Sequence, residues 1–310
     1  MRVERVDAET APDSVLERFA EIEHATWEEG RPGEPPRTRE EIVALLRHQP
    51  SSYPSLHWLA DGGAAHLAVH GPRAAFVELR VVPERRRRGT GTALLDAVVQ
   101  AARATGARAL HGQHASAAGA AFAARVGAVE GQCVVRSLLD LAGSTFEPPR
   151  VPDGWRLASW LGRVPDEHLE EYVAARAAMD DAPAPDELDF PSATAETVRA
   201  SEESLRRRRR EMRLTVAIDG AGRIGAFTEL RLSRGSTAAF TDDTGTVAQW
   251  RGLGLARAVK TESLRLLRAD HPEVRLVTTS NAEENAVMRG LNESLGFRPV
   301  SIDTMSTLRI

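Results

Sequence analysis

One short pattern occurs twice in this chain, each time in the same surroundings. It is Arg-x-x-Gly followed, two residues on, by Gly or Ala. The first copy is Arg86, Gly89 and Gly91; the second is Arg251, Gly254 and Ala256. Each follows a run of strand character and opens an amphipathic helix, with Leu94, Leu95, Val98 and Val99 on one face in the first copy. The loop arginines stand 165 residues apart, and the glycines that follow the last helices, Gly127 and Gly296, stand 169 apart. A period of that length is too long for a solenoid and means two copies of one domain. A length of 310 residues also predicts two domains.

The pattern has a physical reading. A helix N-terminus offers unpaired N–H groups and a partial positive charge, which suit a pyrophosphate. Small residues let the phosphates approach the backbone, and the arginine adds charge-assisted bonds or orders the loop. A dinucleotide-binding loop would need a third glycine and a place early in a βαβ unit. Here the loop follows antiparallel-looking strands, and the third glycine is missing from both copies.

The rest of the chain reads as two similar series. The first predicts an opening strand over residues 1–7, helices near 14–26 and 38–47, and strands at 56–61, 64–70 and 74–82. The loop, a helix over 90–104, a strand at 107–112, a helix at 117–126 and closing strands to 141 follow. The segment 143–153, with three prolines and one glycine, is the linker candidate. The second series predicts a strand at 155–159, helices at 167–179 and 194–212, and strands at 214–219, 224–232 and 237–247. After its loop come a helix to about 268, a strand at 274–279, a helix at 285–295 and a last strand at 301–308. The expected division is therefore 1–142, a linker at 143–153, and 154–310.

Net charge is −4 with a pI near 6.2, which disfavours nucleic acid or an anionic membrane as partner. No run of 18 apolar residues suggests a membrane span, and the first residues do not read as a signal peptide. The single cysteine, Cys133, reads as a small core residue and fits a reducing, cytoplasmic setting. Arg206–Arg210 reads as a solvated helix face in which Glu202 pairs with Arg206 and Glu203 with Arg207. His111 and His114 lack the carboxylate company of a metal site, and no metal is expected.

At these residues the chain resembles the GNAT acetyltransferases. The likeness rests on residues 82–95 of the first series, and on 247–256 and Asn285-Ala286-Val287-Met288 leading to Leu295-Gly296-Phe297 of the second. The arrangement is similar to actinobacterial tandem GNAT proteins such as those of the mycothiol synthase type. The resemblance implies an α/β protein of two tandem GNAT folds, each a mixed, mostly antiparallel sheet flanked by helices. It implies acetyl-CoA as cosubstrate, bound where the sheet splays apart. In the second half Thr246 and Val247 would pair with the pantetheine arm, and Arg251, Gly252, Leu253, Gly254, Leu255 and Ala256 would hold the pyrophosphate, with Asn285 nearby. The corresponding places in the first half are Val81, Val82, Arg86, Gly89, Thr90 and Gly91.

Departures from the family pattern separate the halves. The tyrosine that often serves as general acid is Asn292 in the second half and Ala123 in the first. The cofactor-contacting asparagine is Asn285 in the second and Ser116 in the first. The first half therefore reads as degenerate and the second as catalytic. Acyl transfer to an amine needs a base and an oxyanion donor. The base candidates are Asp242, then Glu229, with Asp243 expected on the opposite strand face from Asp242. The oxyanion donor would be the N–H of Val247 or its neighbour, and Asn292 could bond the cofactor sulfur or the substrate. Asp180, Asp181, Asp186, Glu187 and Asp189 could form an acidic rim for a cationic amine. The leading expectation is N-acetylation of a small-molecule amine; the alternative is a non-catalytic acyl-CoA-binding sensor or scaffold.

Overall fold

The computed structural model describes residues 2–49, 55–70, 74–179 and 192–310. Its described residues form two compact units. Unit 1 comprises residues 2–49, 55–70, 74–135 and 301–310; unit 2 comprises 136–179 and 192–300. The last strand of the chain thus completes the sheet of unit 1. The division at 143–153 proposed from sequence follows the two repeats, whereas the compact units take up the closing strands differently.

In unit 1 the sheet runs β1 (Glu4–Val6), β2 (Ser55–Ala60), β3 (Gly63–His70), β4 (Ala74–Val81), β5 (Ala109–His114), then β12 (Arg298–Arg309) and β6 (Val129–Asp140). The β1–β2, β2–β3, β3–β4 and β5–β12 pairs are antiparallel, and β4–β5 is parallel. The expected mixed, mostly antiparallel sheet is therefore present. Alternation along the strands gives each face its own core. Leu59 and Ala64 pack under helices α1 (Asp13–Gly30) and α2 (Arg39–Arg47), with Leu16, Phe19 and Ile42. Trp58, Ala65 and Leu67 pack on the other face against α3 (Thr90–Ala104) through Leu94 and Val98, and against Phe122 of α4 (Ala117–Arg125). His111 and His114 bond Thr307 and Ser306 at 3.0 and 3.1 Å, fastening β12 to β5. Cys133 is half-buried on β6 beside Thr304, not a core residue as expected.

Unit 2 repeats the plan. Residues 136–140 of β6 lie beside β11 (Leu276–Ala282), followed by β10 (Ala238–Thr246), β9 (Ile224–Ser233), β8 (Arg210–Asp219) and β7 (Trp155–Leu161). The β10–β11 pair is parallel, and the β9–β10, β8–β9 and β7–β8 pairs are antiparallel. Tyr172 and Ala175 of α5 (Leu169–Arg176), and Val198 and Leu205 of α6 (Ala195–Arg207), cover one face over Leu214, Val216 and Phe227. Helix α7 (Leu255–Asp270) covers the other face, with Leu264 and Leu267 against Leu230, Val277 and Phe297. Helix α8 (Ala286–Ser294) precedes the closing turn.

Two sequence expectations fail at α6. The helix ends at Arg207, and β8 begins at Arg210 rather than Leu214, because Arg209 takes a left-handed φ of 55° that stops the helix. Glu202 does not pair with Arg206. It is buried, accepts from the Val164 N–H at 2.8 Å and pairs with Arg199, while Glu203 alone holds Arg206 and Arg207. The buried face of α6 needs an acceptor for that N–H, and Glu202 supplies it.

Lys260 on α7 is buried with its Nζ 5.6 Å from the Phe297 ring centre and no carboxylate partner among the described residues. Burial lowers its pKa to about 7 from an ordinary 10.5. The unfolded chain then holds this proton more tightly than the fold does. The cost is full below pH 7, shrinks as pH rises from 7 to 10.5, and vanishes above. Urea denaturation of Lys260→Met, a substitution of similar volume, should show a gain in stability at pH 6 that is much smaller at pH 10.

Candidate active site

Parallel pairing holds β10 to β11 only from Ala238 to Thr241, opposite Leu276 to Thr279. Beyond that β10 continues to pair with β9, through Thr244, Gly245 and Thr246, so its other edge is open. Unit 1 has the same geometry. Strand β4 pairs with β5 from Ala74 to Phe76 and with β3 as far as Val81. Each unit thus presents one open strand edge, a row of main-chain donors and acceptors that a ligand can occupy.

The end of each open strand is fastened identically. Val247 donates to Gly225 O at 3.0 Å and accepts from Trp250 at 2.9 Å; Val82 donates to Gly62 O at 2.9 Å and accepts from Arg85 at 3.0 Å. A Cβ on Gly225 would lie 2.2 Å from Trp155, which explains the glycine there. Since the main-chain groups of Val247 are spent inside the unit, its N–H is not free to meet an oxyanion, and of the two places expected from sequence its neighbour remains. Alternation along an antiparallel pair turns the N–H and C=O of Thr246, and of Val81, toward the open edge. The motif arginines bind there: Arg251 Nε donates to Thr246 O at 3.3 Å, and Arg86 Nε to Val81 O at 2.9 Å. Arg86 also grips Glu29 with two bonds of 3.1 and 2.7 Å. Arg86 is therefore a loop-ordering group.

Helices α3 and α7 open on glycine N-caps, Gly89 at φ 87° and Gly254 at φ 78°, neither with a side-chain cap. The first intrahelical bonds are Ala93 to Gly89 and Ala258 to Gly254. The N–H groups of Leu255, Ala256 and Arg257, and those of Thr90, Gly91 and Thr92, therefore have no acceptor within their helices. A Cβ at Gly252 or Gly254 would meet nothing within 4 Å, so backbone conformation, not crowding, calls for glycine. Leu253 between them is exposed. This open, donor-rich turn fits a pyrophosphate, as does its counterpart in unit 1.

Asn285 and Ser116 are N-caps of α8 and α4, accepting from Met288 and Gly119 at 3.1 Å each. Asn292, buried in α8, bonds Asn281 of β11 at 2.6 Å, and its Oδ1 finds no partner among the described residues. Gly296 and Gly127 close their helices with the same pair of bonds, Phe297 to Asn292 O and Gly296 to Glu293 O, and Ala128 to Ala123 O and Gly127 to Ala124 O.

The titratable groups of unit 2 gather beside the open edge. A register shift between Thr241 and Thr244 marks a β-bulge that takes in Asp242 and Asp243. The two aspartates were expected on opposite faces. The bulge re-aims them, and both join one network. Arg231 bonds Asp242 at 2.6 Å and Glu229 at 3.2 Å; Arg176 bonds Glu229 at 2.6 Å and Asp243 at 2.7 Å. The Tyr172 hydroxyl donates to Glu229, and Arg176 lies over the Tyr172 and Phe227 rings. A Cβ on Gly245 would lie 2.7 Å from Phe227, so this position lets the 177–179 turn after α5 approach.

Three carboxylates here share two guanidiniums. Burial works to raise Glu229, but Arg231, Arg176 and the Tyr172 bond outweigh it and hold Glu229 below the usual range. Burial raises Asp242 to about 6, against the pull of Arg231 and with repulsion from Asp243 and Glu229. Tyr172 is pushed well above its usual value, first by burial and then by Glu229, so it stays a hydrogen-bond donor. Sequence reasoning found Asp242, Asp243 and Glu229. It missed Tyr172, Arg176 and Arg231, which come from a helix and from the neighbouring strand and leave no spacing signal. The acidic run Asp180, Asp181, Asp186, Glu187 and Asp189 lies outside the described residues.

Unit 1 has a strained counterpart of Gly252. Arg87 sits at φ 60°, where Gly252 has φ 83°. Left-handed backbone costs an L-residue roughly 1–2 kcal/mol. Chemical denaturation should therefore show Gly252→Ala destabilised by about 1 kcal/mol, and Arg87→Gly unchanged or stabilised by up to about 1 kcal/mol.

The profile of the Acetyltransferase (GNAT) family matches residues 16–128. Among solved structures, a tandem GNAT protein from the clavulanic acid biosynthesis pathway is 27% identical, with a TM-score of 0.85 over 99% of this chain and 98% of that one. A GCN5-related N-acetyltransferase from Sphaerobacter thermophilus is 17% identical, with a TM-score of 0.72 over 99% and 95%. Comparison with curated proteins by sequence gives no match.

Proposed function

We propose that this chain, whose residues 16–128 match the GNAT acetyltransferase profile and whose fold matches a tandem GNAT protein, transfers an acetyl group from acetyl-CoA to the amine of a small molecule, and that transfer takes place in unit 2. The observation that carries this reading is Asp242: a carboxylate beside an open strand edge, in a bulge that unit 1 lacks, with a pKa raised to about 6. A base poised near the working pH is what deprotonation of an amine requires. A relative from a biosynthetic pathway supports a small-molecule acceptor.

Acetyl-CoA supplies an activated thioester. The N–H groups at the start of α7 and the loop glycines Gly252 and Gly254 would hold its pyrophosphate, and the open-edge main chain at Thr246 would align its pantetheine arm. The Thr246 N–H then falls to the oxyanion role that Val247 cannot fill. Asp242 accepts the proton that the amine nitrogen gives up as its bond to the acetyl carbon forms. Arg231 holds Asp242 in place, and Arg176, Glu229 and Tyr172 fix the wall behind it. Asn292 has an amide, which can donate a hydrogen bond but not a proton at neutral pH. A thiolate is a far better leaving group than an alkoxide or an amide ion, so it can leave unprotonated and take its proton from water. The family's acid is therefore dispensable here, which answers the main argument for a non-catalytic acyl-CoA sensor.

A base must be deprotonated to act. The rate should therefore rise with pH through about 6 and level off above it. Asp242→Asn should lose this limb and lower kcat/KM by about 10²-fold or more, the usual share of general-base catalysis. Steady-state rates with acetyl-CoA and a panel of small amines between pH 5 and 9 test this. Full activity in Asp242→Asn would remove Asp242 from the mechanism, and acetyl-CoA binding with no turnover on any amine would favour the sensor.

A further inference from the structure

Unit 1 contains a row of titratable side chains that the transfer chemistry does not use. Strand register sets His57 beside His66, and His66 beside Glu78. The two imidazoles stack at 4.8 Å with planes 12° apart. They line a pocket of about 170 Å³ beneath α1 and α2. One part of its wall is charged: Arg37 bonds Glu23 at 3.2 Å, and Arg80 bonds Glu78 through Nε at 2.8 Å. Another part is apolar, formed by Phe19, Ile42 and Leu46.

His57 is the unexplained member of this set. It is 3% exposed, yet its Nδ1 has no hydrogen-bond partner among the described residues. Burial, helped by the neighbouring His66, lowers its pKa to about 3, so the ring is neutral near pH 7. A neutral imidazole nitrogen left unpaired in a buried wall is costly, and a ligand in the pocket would supply the missing partner.

The charges define that ligand. Two carboxylates face two guanidiniums, so the wall carries both signs and no excess of either. It suits a molecule that is itself balanced, with an ammonium toward Glu78 and Glu23 and a carboxylate toward Arg80 and Arg37. At water's share of about 30 Å³, the space holds about six waters, or roughly six to nine non-hydrogen atoms. The apolar wall asks for a hydrocarbon side chain.

We propose that unit 1 binds a small zwitterion, an apolar α-amino acid, in the pocket walled by His57, Glu78, Arg80, Glu23 and Arg37. The site uses no residue of unit 2 and does not rest on transfer occurring there. Calorimetry on the full chain tests it with L-leucine as the probe, and with 3-methylbutylamine and 4-methylpentanoate as its two halves. Leucine should bind, and each half should bind at least tenfold more weakly. His57→Phe keeps the ring stack and removes the nitrogen; Glu78→Gln alters a half-exposed side chain. Each should weaken leucine binding at least tenfold while melting as a folded protein, and the folded one decides if the other does not fold. No heat from leucine on the wild-type chain, a half that binds as tightly as leucine, or wild-type affinity in the folded variants would overturn the proposal.

Discussion

The site rests on the parting of a parallel strand pair. Where β10 leaves β11 after Thr241, and β4 leaves β5 after Phe76, main-chain groups lose the partner that a continuous sheet would give them. Unpaired main chain in a protein interior is expensive, so such an edge persists only where something else meets its groups. In both units the last strand residue is answered by the motif arginine, and the residue after it turns back to a glycine carbonyl on the neighbouring strand. The helix that follows then starts at a fixed place with its N–H groups free. Strand edge and helix start are thus parts of one device, which explains why arginine and glycine keep their spacing in both copies.

The units diverge where chemistry would act. Unit 2 has a bulge at Asp242 and Asp243, a buried Glu229, and two arginines that leave one carboxylate too many. Strand β4 runs in regular register against β3, and its face carries Glu78 beside His66. Unit 1 also tolerates Arg87 in a left-handed turn where unit 2 has Gly252. The strand edge, the motif arginine and the helix start are alike in both units, and the opposite wall differs.

Much of this was legible in the sequence because it is local. The strand-loop-helix motif, the helix over Thr90–Ala104 and the Thr38 cap each depend on a few neighbouring residues. The family profile matches unit 1, although the second half seemed the stronger likeness from its Asn285 and Gly296-Phe297. Unit 1 keeps both loop glycines, whereas unit 2 has Ala256. What was not legible depends on the third dimension. No spacing announces a bulge, so Asp242 and Asp243 were placed on opposite faces. Glu202 was paired with the wrong arginine because its real partners, the Val164 N–H and Arg199, are fixed by the packing of α6. Asn285, which the resemblance puts near the cofactor, also caps α8 through its Oδ1, a second role that its spacing does not announce.

The central claim is that acetyl transfer belongs to unit 2. Gly89 and Gly254 occupy the same helix-capping position with nearly the same φ, 87° and 78°, so a bulky residue would strain each turn alike and would block one proposed phosphate site at a time. Acetyl-CoA turnover in Gly89→Trp and Gly254→Trp, each shown to be folded, is therefore the most direct measurement. The account predicts that Gly254→Trp abolishes turnover and Gly89→Trp retains it. Turnover that survives in Gly254→Trp and is lost in Gly89→Trp would contradict it and move the chemistry to unit 1.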